Sequence, residues 1–127
     1  MSLVYLVMVL LLLEYYGFVM LTGAARVKGG VDAPAVTGDP LFERTLRVQQ
    51  NTLEQLIVVL PTMWIFALTV SEQWAAILGA AFFVGRILYC ISYRKEPGKR
   101  AAGFLLGMLA TAGLLIGSLV GAIQQVL

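Results

Sequence analysis

Apolar residues gather in four long runs, each separated from the next by a short polar stretch. The first, about 3–25, reads LVYLVMVLLLLEYYGFVMLTGAA and carries one charge, Glu14. The second, about 47–69, starts near Arg47 and continues through LIVVLPTMWIFALTV; the third covers about 74–93 and the fourth about 101–125. A helix of about 20 residues matches a hydrocarbon layer about 30 Å thick. Backbone amides in that layer find no water, so each run closes its own hydrogen bonds as an α-helix. The pattern therefore predicts an all-α, integral-membrane four-helix bundle forming a single domain over residues 1–127. The first run lacks a basic leader and a small-residue cleavage box, and it is too long for a signal-peptide core, so it reads as a span. The connections are unequal: a Gly/Pro/Asp-rich loop, VKGGVDAPAVTGDP, then a tight turn near Val70–Gln73, then RKEPGKR with a Pro97–Gly98 turn.

Composition sharpens this picture. Of 127 residues, 60% are hydrophobic and 13% charged, about half the charge of an average soluble domain. That is too little polarity to coat a water-exposed surface, and too much apolar material for a disordered chain. The nine basic residues border two connections only. Arg26, Lys28, Arg44 and Arg47 flank the first; Arg86, Arg94, Lys95, Lys99 and Arg100 flank or approach the third. Up-and-down spans put both connections on one side, and the positive-inside rule makes that side cytoplasmic, with both termini opposite. The net charge of +2 is thus a matter of topology rather than a nucleic-acid footprint. With no histidine and a single cysteine, Cys90, the chain offers no internal disulfide, no Cys/His zinc site and no imidazole base.

Ionisable groups inside spans are expensive and mark candidate sites. On the second run, RVQQNTLEQ places Arg47, Asn51 and Glu54 within an arc of about 60°. On the third, GRILYCISYR places Arg86, Tyr89 and Tyr93 within a similar arc of about 60°. Counting about 1.5 Å per residue, Glu54 and Arg86 sit at similar depth and are expected to pair. Polar stripes of this kind also serve as plain fasteners between helices. Arg47, Arg86, Arg100, Asn51 and two tyrosines at the cytoplasmic ends of three helices exceed what fastening needs, and suit an anionic ligand with several carboxylates.

The segment FERTLRVQQNTLEQ, followed by GRILYCISYRKEPGKR, resembles the MAPEG family, the membrane-associated proteins of eicosanoid and glutathione metabolism. The resemblance covers length, four spans and both motifs in order. It implies a homotrimer that holds glutathione as co-substrate, without a metal, between neighbouring subunits near the cytoplasmic face. It implies a membrane-bound glutathione transferase, or glutathione-dependent peroxidase, acting on lipophilic electrophiles that arrive from the bilayer. Carried over residue by residue, Arg47, Asn51, Glu54, Tyr89 and Tyr93 hold the tripeptide, while Arg26 and Gln49 serve the adjacent subunit. Arg86 supports Glu54, and Arg100 stabilises the glutathione thiolate as the catalytic group. This chain departs from the family pattern at Gln55, where several members have Tyr, at Val27, where a lipid-processing member has a second Arg, and at Pro61, which lies deeper than in eicosanoid-forming members. These departures bear on the second substrate.

Two other readings stay open at this point: a noncatalytic lipid-binding scaffold of the same fold, and a small proton-coupled multidrug transporter using Glu14. Glu14 has no basic residue at its expected depth and reads as a neutral, hydrogen-bonded acid. Gly103/Gly107 and Gly113/Gly117/Gly121 form ridges suited to close helix packing. Cys90 reads as inert, and Trp64 and Trp74 as interfacial anchors.

Overall fold

In the computed structural model, which describes residues 1–127, the chain forms α1 (Ser2–Gly29), α2 (Pro40–Thr69), α3 (Glu72–Lys95) and α4 (Ala101–Val126). There are no strands, and each helix is long and apolar enough to cross a bilayer. Two ends lie further out than the hydropathy pattern suggests, because local hydrogen-bonding chemistry sets them. At the end of α1, Gly30 turns left-handed at φ 68°; its N–H donates to Val27 O, and Val31 N–H to Arg26 O. This closing pattern needs a residue without a β-carbon penalty. α2 starts at Pro40 rather than near Arg47: Asp39 Oδ2 accepts from Phe42 N at 2.9 Å, and Pro40 occupies the first turn, where its missing N–H costs nothing. Between α2 and α3 only Val70 and Ser71 intervene, and Ser71 Oγ caps Trp74 N at 3.1 Å.

α2 and α3 form the central pair, with α1 packed on both from one side and α4 from the other. Successive helices run antiparallel, so Tyr5 near the start of α1 stacks on Trp64 near the end of α2, 5.9 Å between ring centroids. The core lies along the α2–α3 seam, where Leu11, Val59, Met63, Phe82 and Leu114 are buried. Large aliphatic side chains such as Leu13, Ile57, Ile116 and Leu119 point outward, which suits acyl chains rather than water.

Small residues let α3 and α4 approach at backbone distance. A β-carbon at Gly103 would lie 2.7 Å from Gly85 O and 2.9 Å from the Leu88 carbonyl carbon. Gly117 similarly faces the Phe66 ring, and Gly121 faces Thr69. Gly107 and Gly113 differ, since a β-carbon there would make ordinary contacts of 3.6 Å to Phe82 and 3.4 Å to Leu78. Close packing therefore governs three of the five ridge glycines.

Candidate functional site

The polar residues of α2 divide between two faces, and this division shapes the site. Thr45, Val48, Thr52 and Leu56 form its buried stripe. Arg47 and Glu54 lie on the other flank and pair with each other, Nη1 to Oε1 at 3.4 Å, with side chains 49% and 63% exposed. Asn51 sits between these faces, half-buried, with its Oδ1 accepting from Gln55 Nε2 at 3.1 Å.

Arg86 reaches the buried stripe rather than Glu54. Its Nε and Nη2 both donate to Thr52 Oγ1, at 3.1 and 2.9 Å, and Thr52 in turn donates to Val48 O at 2.7 Å. The expected Glu54–Arg86 pair does not form. Depth was a sound guide, since Thr52 is only two residues from Glu54. Two residues along a helix, however, rotate a side chain by about 200°, and α3 packs on the Thr52 face. Thr52 is thus a site-supporting residue that the charge pattern passed over. Its signal was the seven-residue spacing from Thr45, which keeps both hydroxyls on one stripe.

Above Arg86 rises an aromatic stack. The guanidinium carbon lies 4.1 Å from the Tyr89 ring centroid. Tyr89 stacks on Tyr93 at 5.3 Å and 15°, and tilts against Phe104 of α4 at 6.2 Å. A cation over a tyrosine face in a dry setting contributes about 2 kcal/mol. Arg100 opens α4 one turn before Phe104, the ring that tilts against Tyr89. Tyr93 then opens into a cavity of about 460 Å³ that it lines with Pro40, Glu43, Arg44 and Arg47. Arg47, Tyr89, Tyr93 and Arg100 therefore gather toward one end of α2, α3 and α4, with Arg86 buried beneath Tyr89 nearer the middle of α3.

Arg100 stands at the start of α4, exposed, its Nη1 donating to Pro97 O at 2.9 Å. No side chain caps the first turn of α4, so the helix dipole's positive end is open beside it. Arg26 and Gln49 lie outside this cluster. Arg26 folds back on its own loop, donating to Ala35 O at 2.7 Å and lying 4.4 Å from the Phe42 ring centroid. Gln49 is half-buried on a different face of α2 from Arg47. A second set of links holds α2 to α3 at the same end: Arg94 Nε donates to Thr45 Oγ1 at 3.0 Å, and Arg44 Nη1 to the carbonyls of Arg94 and Lys95. These links carry two arginines that the charge pattern assigned only to topology.

Glu14 was expected to have no basic residue at its depth, yet Arg86 lies at about its level: Met1 N meets Glu72 Oε2 at 2.6 Å, and the two residues stand 13 and 14 positions further along α1 and α3. By about 1.5 Å per residue the two backbones differ in depth by only a few ångströms, and the length of an arginine covers that difference. Both Glu14 oxygens are sealed from the surface and take no hydrogen bond.

The site sits in a chain with clear relatives. The MAPEG family profile matches residues 4–120. An uncharacterised protein of Synechocystis sp. is 48% identical over 111 residues, covering 87% of this chain and 81% of that one. Microsomal glutathione S-transferase 2 of Homo sapiens is 40% identical over 100 residues, 77% of this chain and 68% of the relative. Leukotriene C4 synthase of Cavia porcellus is 34% identical over 99 residues, 72% of this chain and 66% of the relative.

Proposed function

The chain belongs to the MAPEG family of integral, multi-pass membrane proteins, and on that premise we propose that it is a membrane-bound glutathione transferase, with peroxidase chemistry open to the same thiolate. The observation that carries this reading is the gathering of Arg47, Tyr89, Tyr93 and Arg100 toward one end of three helices, above the buried Arg86. Glutathione carries two carboxylates and a thiol. Arg47 and Asn51 supply donors for the carboxylates, Glu54 accepts from the amino group, and the two tyrosines supply hydroxyls and flat walls. The similarity to microsomal glutathione S-transferase 2 supports this assignment.

Activation follows from charge alone. The attacking species is the thiolate, and a free thiol holds its proton up to a pKa of about 8.5. Lowering that by about two units takes ~2.7 kcal/mol of preference for the anion. A guanidinium beside the sulfur, backed by an open helix N-terminus, is of the right sign and size. Arg100 fills this role, and no side-chain base is needed. The sulfur then attacks an electrophile that enters laterally from the bilayer, or the terminal oxygen of a hydroperoxide.

The site is completed by a second copy of the chain in a homotrimer. Glu54 lies midway along α2, about 20 Å from either end, with its side chain 63% exposed. Even paired with Arg47, a carboxylate facing acyl chains there is unfavourable; a neighbouring subunit's α1–α2 surface would cover it, with Arg26 and Gln49 contributed nearer the loop end. In this arrangement the site faces the cytoplasm and both termini face away.

Equilibrium binding to detergent-purified protein tests the assignment. Saturable glutathione binding, a thiolate absorbance band and conjugation of a generic aromatic electrophile are the expected results. Binding without turnover would favour the noncatalytic scaffold, and absence of binding would end the glutathione reading. Glu54→Ala should weaken glutathione binding about tenfold, the scale of one hydrogen bond to a charged group. Thermal stability should change little in comparison, because Glu54 is not what holds Arg86.

A further inference from the structure

Two buried ionisable side chains, Glu14 and Arg86, are 7% and 0% exposed. Between them they hold all three of the buried side-chain atoms that lack a hydrogen-bond partner: Glu14 Oε1 and Oε2, and Arg86 Nη1. They lie at about the same level of two packed helices, 13 residues past Met1 and 14 past Glu72, whose contact at 2.6 Å sets α1 against α3, and no hydrogen bond or ion pair joins them directly. Thr52 already satisfies the other two guanidinium nitrogens it faces, and as a neutral hydroxyl it balances no charge. Glu14 also borders an outward groove of about 440 Å³ between α1 and α3, beside Gly17, Phe18 and Phe83. Its oxygens are closed off from that groove, so the carboxylate serves the interior rather than a ligand arriving from lipid.

We infer that Glu14 is the counter-ion of Arg86 and, through it, a positioning residue for the Tyr89–Tyr93 wall of the glutathione site. A guanidinium in low dielectric stays charged and fixed only if an opposite charge compensates it. The plane of Arg86 is held from below by Thr52 and lies against the Tyr89 ring at 4.1 Å. Tyr89 in turn sets Tyr93, at the cavity mouth. The contacts run without a break from Thr52 through Arg86 and Tyr89 to Tyr93, and Glu14 acts on the start of that line through its charge. The inference rests on the glutathione reading for its functional half and stands apart from it for its electrostatic half.

The test uses purified full-length protein with Glu14→Gln, Glu14→Asp, Arg86→Met and the double variant Glu14→Gln/Arg86→Met. Glu14→Gln keeps size and hydrogen-bonding capacity while removing the charge. It should raise KM for glutathione about tenfold with kcat nearly unchanged, since Arg100 is untouched. Glu14→Asp should recover most of that loss. A wild-type KM in Glu14→Gln, or an equal loss in both variants, would overturn the positioning role. Melting temperatures without glutathione test the ion pair separately. Each single neutralisation should lower the melting temperature, and the double variant should lie above the sum of the two losses. Strict additivity would overturn the counter-ion assignment even if glutathione binds normally. If wild-type protein binds no glutathione, the functional half falls with that reading, and the melting series still decides the pair.

Discussion

Replacing Arg100 by alanine should slow conjugation at neutral pH about 25-fold while leaving glutathione affinity within a few-fold of the parent protein. The expectation follows from where Arg100 stands. It sits exposed at the uncapped start of α4, tethered only to Pro97 O, and it supports no buried group whose loss would disturb the fold. Its charge meets the sulfur, which carries a full negative charge only after ionisation. An interaction with the ionised form that is worth ~2.7 kcal/mol corresponds to about two pKa units, and a thiol moved from about 6.5 to about 8.5 falls from about three-quarters ionised to about 3% at pH 7, roughly 25-fold in rate. The carboxylate contacts at Arg47 and Asn51 remain, so ground-state binding persists. The measurement is a paired one: steady-state kinetics with a soluble aromatic electrophile, and absorbance of enzyme-bound thiolate. A band of undiminished strength in Arg100→Ala would move the activating role to another cation, with Arg47 the next in line. Raising the pH should recover part of the lost rate, because free hydroxide then supplies the ionisation that the guanidinium no longer favours.

Gly103→Val is the change expected to do most damage to the fold. At this position α4 lies against the backbone of α3, and the groups facing the missing β-carbon are Gly85 O, Leu88 C and the Tyr89 amide. Flexible side chains can swing aside from a new methyl group; main-chain atoms of two packed helices cannot. Overpacking usually costs about 1–3 kcal/mol, and a backbone-limited site belongs at or beyond the top of that range. Thermal unfolding in detergent should show a large loss for Gly103→Val, with loss of glutathione binding because Tyr89 is displaced. Gly113→Ala is the matched control. The nearest atoms there are the Leu78 methyls at 3.4 and 3.6 Å, so its melting temperature should stay close to that of the parent. Equal damage from both changes, or little from Gly103→Val, would mean that the backbone approach of α3 and α4 does not set the cost.

Much of this architecture was legible in the order of residues. Four spans, the short second turn and the polar stripes on α2 and α3 follow from hydropathy and helical periodicity, because the bilayer leaves little choice of secondary structure. The chain ends of α1 and α2 were less legible. Gly30 and the Asp39–Pro40 pair act through hydrogen-bond geometry, and a hydropathy window averages such signals away. The partner of Arg86 was misread for a different reason. Depth along a helix is additive and easily counted, whereas the face on which a neighbour packs depends on tertiary arrangement. Glu54 and Thr52 share a depth and differ in azimuth, so only the packed structure separates them. The same applies to Glu14, whose approach to Arg86 depends on the reach of a long side chain across two helices. Arg26 and Gln49 stand apart from the cluster within one chain, because Arg26 folds onto its own loop and Gln49 lies on another face of α2.

The two-residue connection between α2 and α3 has a consequence for how the chain enters a membrane. An arginine inserted alone at mid-helix costs about 2.5–3.5 kcal/mol. With only Val70 and Ser71 between them, the two helices leave the translocation machinery as one hairpin. The hydroxyl of Thr52 therefore travels with Arg86 and can receive its guanidinium as both enter the bilayer.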